Sequence, residues 1–213
     1  MKKILLGLGF IILVLVSAGM GVSAVLGGEK YQFTLDQLFA PTIGAFAGAG
    51  IGAGLIIIAN AAKALVFGIS NWFDIARIFT LAFAAYYFAQ KKEDIVSAVV
   101  PLGAMALFVL HPVGREAWFF SLFWLIPVVA SFYRTNLLAR SFGSTFTAHS
   151  IGTVAFLYTF STTPAFWIAL IPIVVVERLL FGLGISASFL VVNQALCLSK
   201  TTEKFAEKSY ALF

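Results

Sequence analysis

Residues 4–198 leave almost no sequence that water would tolerate. Apolar runs of about 20 residues follow one another, and that is the length a helix needs to cross a hydrocarbon core. Charges gather in short clusters between the runs. Hydrophobic residues make up 61% of the 213 and charged residues 11%, whereas soluble domains carry roughly 25% charge. Mean hydropathy is +1.01. The expectation is an all-α, polytopic transmembrane helix bundle forming one integral membrane domain over residues 1–213. With short loops the length allows about six to eight crossings. It leaves no room for a separate soluble catalytic domain.

Charge then predicts the topology. The net charge is +5. In a soluble chain that would raise nucleic acid as a partner. Here it reads as the excess of cytoplasmic lysine and arginine, with the lipid bilayer as the surroundings and no nucleic acid involved. Lys2 and Lys3 precede the first apolar run, 4–26. That run is long enough to span, although Val16-Ser17-Ala18 and Val22-Ser23-Ala24 also resemble signal-peptidase sites. If residues 35–73 cross an even number of times, Lys91, Lys92, Arg134, Arg140, Lys200, Lys204 and Lys208 all fall on the cytoplasmic side. Both termini are then cytoplasmic in a multi-pass cell-membrane protein. A single crossing would place most of these cations outside, against the positive-inside rule.

Residues 35–73 therefore read as two short tilted helices or as a re-entrant hairpin. Their composition agrees, because residues 40–54 consist almost entirely of glycine, alanine and other small side chains around Pro41. Small residues let membrane helices approach closely. Glycine and proline also permit a broken helix where protein or a water-filled cavity covers the backbone, and broken helices line substrate sites in transporters. The region, broken or re-entrant over 38–72, serves tight packing, a binding site, or both.

The string Leu38-Phe39-Ala40-Pro41 running into Ile43-Gly44-Ala45 resembles the membrane-embedded substrate-binding (S) components of energy-coupling-factor transporters. The later strings Phe83-Ala84-Ala85-Tyr86-Tyr87-Phe88-Ala89-Gln90-Lys91-Lys92 and Ile171-Pro172 with Glu177-Arg178 are similar to theirs as well. The resemblance covers about residues 30–110 and 165–195. It implies uptake of a vitamin-like or micronutrient solute through an outward-facing pocket. It also implies docking on a transmembrane coupling protein served by cytoplasmic ATPases. In place of the family's Ala-x-x-x-Ala docking motif on the first helix stand the weaker strings Ser17-x-x-x-Gly21 and Gly19-x-x-x-Ser23, of the same small-residue type.

Several residues are candidates for recognition. His111, Arg115, Glu116 and Trp118 cluster in one loop. An arginine can hold a carboxylate bidentately, and a tryptophan can stack on a ring or cover a cation. An ordinary interfacial loop with a belt tryptophan has the same composition. His149 lies within an apolar run, with Thr145 and Thr153 four residues away on either side and so on one helical face. It is expected to face the bundle interior, to contact solute or to bond a neighbouring helix. Asp36, Asn60, Lys63 and Asn71 bracket the glycine-rich region. Glu177 and Arg178 sit deep in the last run as an intramembrane charge network. Adjacent helical residues point about 100° apart, so each is expected to find its partner on another helix.

Some chemistry is missing. No phosphate-binding Gly-x-x-x-x-Gly-Lys-[Ser/Thr] loop occurs, so ATP hydrolysis would come from other subunits. No His-Glu-x-x-His metal motif and no Gly-x-Ser-x-Gly elbow occur. Cys197 is the only cysteine. No catalytic residue, metal or cofactor is expected. The leading expectation is a non-enzymatic, solute-binding transport component. The alternatives are a structural or assembly subunit without ligand, and a membrane-embedded enzyme using His111 or His149 with Glu116 or Glu177.

Overall fold

The computed structural model describes residues 2–17, 19–24, 32–198, 202–208 and 210–212. The Gly27-Gly28-Glu29-Lys30 turn and Lys200 lie outside the described residues. Helix α1 (Lys2–Ser17) is followed by a small antiparallel hairpin of β1 (Gly21–Ala24) and β2 (Gln32–Thr34), pairing Gly21 with Thr34 and Ala24 with Gln32. The rest of the architecture is helical: α2 (Asp36–Phe39), a 3-10 turn at Ala40–Thr42, α3 (Ile43–Ala47), α4 (Ala49–Phe67), α5 (Trp72–Ala89) and α6 (Ile95–Leu110). Then come α7 (Pro112–Glu116), a 3-10 stretch at Trp118–Trp124, α8 (Leu125–Ala130), α9 (Leu137–Thr159), α10 (Pro164–Cys197) and a final 3-10 turn at Glu203–Phe205.

The short polar turns between the apolar runs hold the helix starts. Asn71, Asp94, Asn136 and Thr163 each accept a hydrogen bond from the backbone N–H three residues on, capping α5, α6, α9 and α10. Such caps satisfy one of the donors every helix start leaves open. Pro164 follows as the first residue of α10, where its missing N–H costs nothing.

The small-residue region is broken, as its composition predicts. Residues 36–47 run one way as α2, the 3-10 turn and α3. Gly48 then adopts φ +92°, and α4 returns. A Cβ on Gly44 would stand 2.0 Å from the Ala85 carbonyl oxygen, and one on Gly52 would stand 2.7 Å from Gly44 Cα. Here α3, α4 and α5 meet backbone to backbone, and only glycine permits it.

Asn60 Nδ2 donates to the Ile78 carbonyl at 3.2 Å, and Ser144 Oγ donates to the Ala84 carbonyl at 2.8 Å. These bonds register α4 and α9 on α5. At one end of α5 lie the hairpin, the turn after α4 and the loop after α6. At the other lie Lys91, the linker before α9 and the C-terminal tail. Two helical segments are long and apolar enough to cross a membrane among the described residues, Ala49–Val66 and Pro164–Cys197, with mean hydropathies of 1.8 and 2.2. Their outward side chains, among them Ile58, Leu65, Leu180 and Val191, are exposed.

One sequence expectation changes. Ser17 and Gly21 do not form a helical docking pair, because α1 ends at Ser17 and Gly21 begins β1. The Ser17 hydroxyl instead donates back to the Leu13 carbonyl at 2.6 Å, closing the last turn. Arg140 shares Glu207 with Lys91. It is fully buried, Nε and Nη2 donate to the Phe88 carbonyl at 3.0 and 2.7 Å, and Nη1 donates to Glu207 Oε1 at 2.8 Å. The Glu207 backbone exchanges two hydrogen bonds with the Asn193 amide, and Ala211 adds a strand-like bridge to Asn136. The tail is thus folded back and sealed onto this end. Arg134 lies beside it, stacked 4.2 Å over the Tyr87 ring. Burial lowers its guanidinium pKa from the ordinary value, and the Tyr87 phenol partly opposes that shift.

Candidate functional site

At the opposite end a cavity of about 660 Å³ opens between the hairpin and helices α4, α5, α9 and α10. That volume falls within the range of small-molecule sites. Its lining runs from exposed Gly68 and Ser70 down to buried Arg178. Aromatic side chains form much of the wall, including Phe33, Phe73, Phe120, Phe156 and Trp167.

The upper wall is tied together by Asp36. This carboxylate is buried, accepts the Lys63 ammonium at 2.7 Å and also accepts the Thr34 hydroxyl. It therefore joins β2, α2 and α4 at one point, and both its oxygens are used. Asn60, 6% exposed, has its Oδ1 without a hydrogen-bond partner. Asp74 also lines the cavity and accepts the Ser70 backbone N–H at 2.8 Å. Asn71 lies outside the lining and caps α5 through the Asp74 backbone N–H.

On the far wall, α9 presents His149 and Thr153 to the cavity. The Trp124 indole N–H donates to His149 Nδ1 at 3.2 Å. That bond assigns the imidazole tautomer, with Nδ1 as acceptor and the proton on Nε2. Thr145, one turn deeper, is drawn into the packing and accepts Arg178 Nη1 at 3.1 Å.

Arg178 forms the deep wall. Its side chain is 3% exposed. Its guanidinium lies over the rings of Phe33 and Phe181 at 4.9 and 4.6 Å. Arg178 finds its hydrogen-bond partner on another helix, as expected. It also approaches its neighbour, contrary to the angular argument: Nη2 stands 3.8 Å from Glu177 Oε2. Two long flexible side chains can lean together although their Cα–Cβ bonds diverge. At that distance the contact is an ion pair and not a hydrogen bond, and Arg178 Nε and Nη2 have no hydrogen-bond partner.

The structure does not bring the loop 111–118 to this cavity. His111 caps α7 through Nδ1 and packs edge-on to Tyr158 at a 4.9 Å centroid distance. Arg115, Glu116 and Trp118 are exposed. Of that neighbourhood only Phe120 reaches the lining. His111 and Glu116 are accordingly not gathered around His149, whereas His149 and Glu177 share the cavity. Sequence reasoning missed the aromatic wall. Phenylalanine is the commonest aromatic here, with 23 copies, so no single one stood out. Among the described residues no group of three or more histidine, cysteine, aspartate or glutamate side chains could hold a metal ion.

No protein-family model, no curated protein and no solved structure matches this chain.

Proposed function

We propose that this chain is a multi-pass membrane protein and the solute-binding component of a transporter. It takes up a small vitamin-like or micronutrient solute with energy from separate ATPase subunits through a coupling protein. The carrying observation is the aromatic cavity with a few placed polar groups inside an otherwise apolar helical bundle, which is how small-molecule sites are built. A structural subunit would use the same polar side chains to bond helix to helix. Asn60 and Arg178 bond neighbouring helices as well, yet both line a cavity that a filled helix interface would not leave.

Membrane insertion accounts for the apolar outer faces of α4 and α10, which water would not tolerate at this length. In this reading the segments run end to end: α1, the broken α2–α3 run, α4, α5, α6, the 118–130 stretch, α9 and α10. The sealed end carrying Lys91, Lys92, Lys204 and Lys208 faces the cytoplasm and the cavity end faces outward. The sequence resemblance to energy-coupling-factor S components supplies the partners in this proposal.

Native mass spectrometry of the purified full chain tests the reading, alongside a binding screen of vitamins and micronutrients. A bound small molecule is expected, and Ala148→Trp, which fills the cavity from α9, should expel it and melt like the parent stripped of that molecule. A chain that binds nothing overturns the proposal. Cysteine placed at Lys208 should resist labelling from outside intact cells, and efficient external labelling would overturn the orientation.

A further inference from the structure

Two polar atoms in the cavity wall stay open where others are sealed. Among the described residues the unbonded side-chain atoms sealed from solvent are Asn60 Oδ1 and guanidinium nitrogens of Arg134 and Arg178. His149 and Thr153 contribute none, although His149 is half-buried, Thr153 is buried and both line the cavity. His149 Nδ1 is taken by the Trp124 indole N–H at 3.2 Å. Trp124 is absent from the lining, so this edge of the imidazole is turned into the packing. Nε2 lies across the ring, carries the proton and donates to no described residue. The Thr153 hydroxyl is also unbonded among the described residues, whereas Thr147 and Thr159 on the same helix donate back to the carbonyl four residues before. An unbonded atom that is not sealed has surface of its own, and the space these two side chains line is the cavity. They stand one turn apart on α9, about 6 Å along its axis. The other α9 residues in the lining are Ala148 and Gly152, so nothing bulky on that helix shields them.

The rings beside His149 continue as one wall. His149 packs on Phe120 at a centroid distance of 5.8 Å, Phe120 on Trp167 at 5.2 Å, Trp167 on Phe156 at 6.2 Å and Phe156 on Phe73 at 5.5 Å. All five line the cavity. The charges of the lining balance: Asp36, Asp74 and Glu177 share it with Lys63, Arg77 and Arg178. Asp36 holds Lys63 at 2.7 Å, and Glu177 lies 3.8 Å from Arg178. A charged solute would give up its hydration here with no excess of the opposite sign to replace it. One open N–H and a run of aromatic faces suit an uncharged ring.

We infer that His149 and Thr153 set the specificity of the cavity, and that the solute is an uncharged aromatic ring system bearing a hydrogen-bond acceptor. A ring nitrogen or carbonyl oxygen accepts the hydrogen bond from His149 Nε2. The Thr153 hydroxyl gives or takes a second bond, and the rings lie along Phe120, Trp167 and Phe156. The inference rests on the solute-binding reading.

The test uses the full chain in lipid nanodiscs and bicyclic probes of one shape. Naphthalene has no acceptor, isoquinoline and naphthamide have one, naphthoate is the anion and N-methylisoquinolinium the cation. Binding is measured by calorimetry at neutral pH, with the Ala148→Trp chain as the blank for partition into lipid. Isoquinoline and naphthamide should bind ~3–10-fold more tightly than naphthalene, the yield of one hydrogen bond, and more tightly than either ion. The chain has two histidines, so the imidazole nitrogen resonances of labelled protein report on His149 once His111→Gln has assigned the other. Isoquinoline should shift the Nε2 resonance and leave Nδ1 an acceptor. His149→Phe should erase the advantage of the acceptors over naphthalene, and Thr153→Val should reduce it by a smaller factor. Equal binding of naphthalene and the acceptors overturns the inference while leaving solute binding intact. So do tighter binding of either ion, an Nε2 resonance that does not move, and an acceptor preference that survives His149→Phe. Silence of all five probes beside a vitamin or micronutrient that binds in the wider screen has the same effect. Absence of binding by every compound overturns this inference and the solute-binding reading together. The contrast among probes and the resonance shift are read on chains with His149 in place, so they stand even if His149→Phe, which strips Trp124 of its acceptor, fails to fold.

Discussion

Two buried arginines at opposite ends of the bundle meet opposite fates. Arg140 is enclosed by a carbonyl, a carboxylate and two phenylalanine rings, and Nε, Nη1 and Nη2 all donate. Arg178 is about as deeply buried and lies beside two rings, yet one hydrogen bond and a 3.8 Å ion pair are the polar contacts it has. Burial does not distinguish them, and neither does charge. The difference is whether the surroundings complete the donor set. A completed set fixes a piece of chain, here the tail. An incomplete one leaves a buried charge poorly compensated. The general lesson is that a buried charge is to be read through its remaining valences, since its presence alone says only that it is costly.

The sharpest way to break the comparison is at Glu207. Glu207→Ala leaves Arg140 buried without its carboxylate and should lower stability by ~3–5 kcal/mol. The loss would be read by chemical or thermal unfolding in detergent. A parent-like midpoint would mean the sealed end is not sealed in solution. Next in size is Gly44→Val, which drives side-chain atoms into the Ala85 carbonyl and should cost at least ~1–3 kcal/mol through the separation of α3 from α5.

Arg178→Met sharpens the contrast from the other side. Removing a poorly partnered guanidinium relieves its desolvation, so the variant should melt within about 1 kcal/mol of the parent or above it. A loss as large as that of Glu207→Ala would show that Arg178 is a structural clamp. The Arg115→Ala/Trp118→Ala double variant should leave solute affinity unchanged, because neither side chain lines the cavity. Smallest of all is Lys208→Ala. Lys208 is exposed, its Nζ bonds Glu203 Oε1 at 3.0 Å, and that bond raises its pKa from the ordinary value. Solvent-screened pairs contribute little, so the melting midpoint should not move. The raised value means that whatever the pair adds is present at neutral pH and is lost only as pH rises past the lysine range.

Much of the frame was legible before any coordinates. Asp94, Asn136 and Thr163 cap helices because a side-chain acceptor before an apolar run has few other local uses. The break in the small-residue region was legible because glycine and proline act within a residue or two of where they stand. The pairing of Ser17 with Gly21 failed for the same kind of local reason: α1 stops, and a spacing of four means one face only while the helix continues. Asp36, Asn60, Lys63, His149, Glu177 and Arg178 were singled out as polar residues in apolar surroundings, and all six line one cavity. Asn71 and the His111–Trp118 loop shared that signal and lie elsewhere, because polarity in an apolar context marks a cap or an interface as readily as a pocket.

What the sequence by itself determined is what acts over one helical turn: apolar helices, a break somewhere within 38–72 and the short list of costly polar side chains. Only the tertiary structure decided which of those side chains are satisfied. Glu207 lies 67 residues from Arg140 and Thr145 lies 33 residues from Arg178, and no local pattern specifies such separations. On helices that are apolar nearly all round, such as α10, no stripe announces the inward face. The rotation of each helix, and with it the closed donor set at one end and the open one at the other, follows from packing against neighbours.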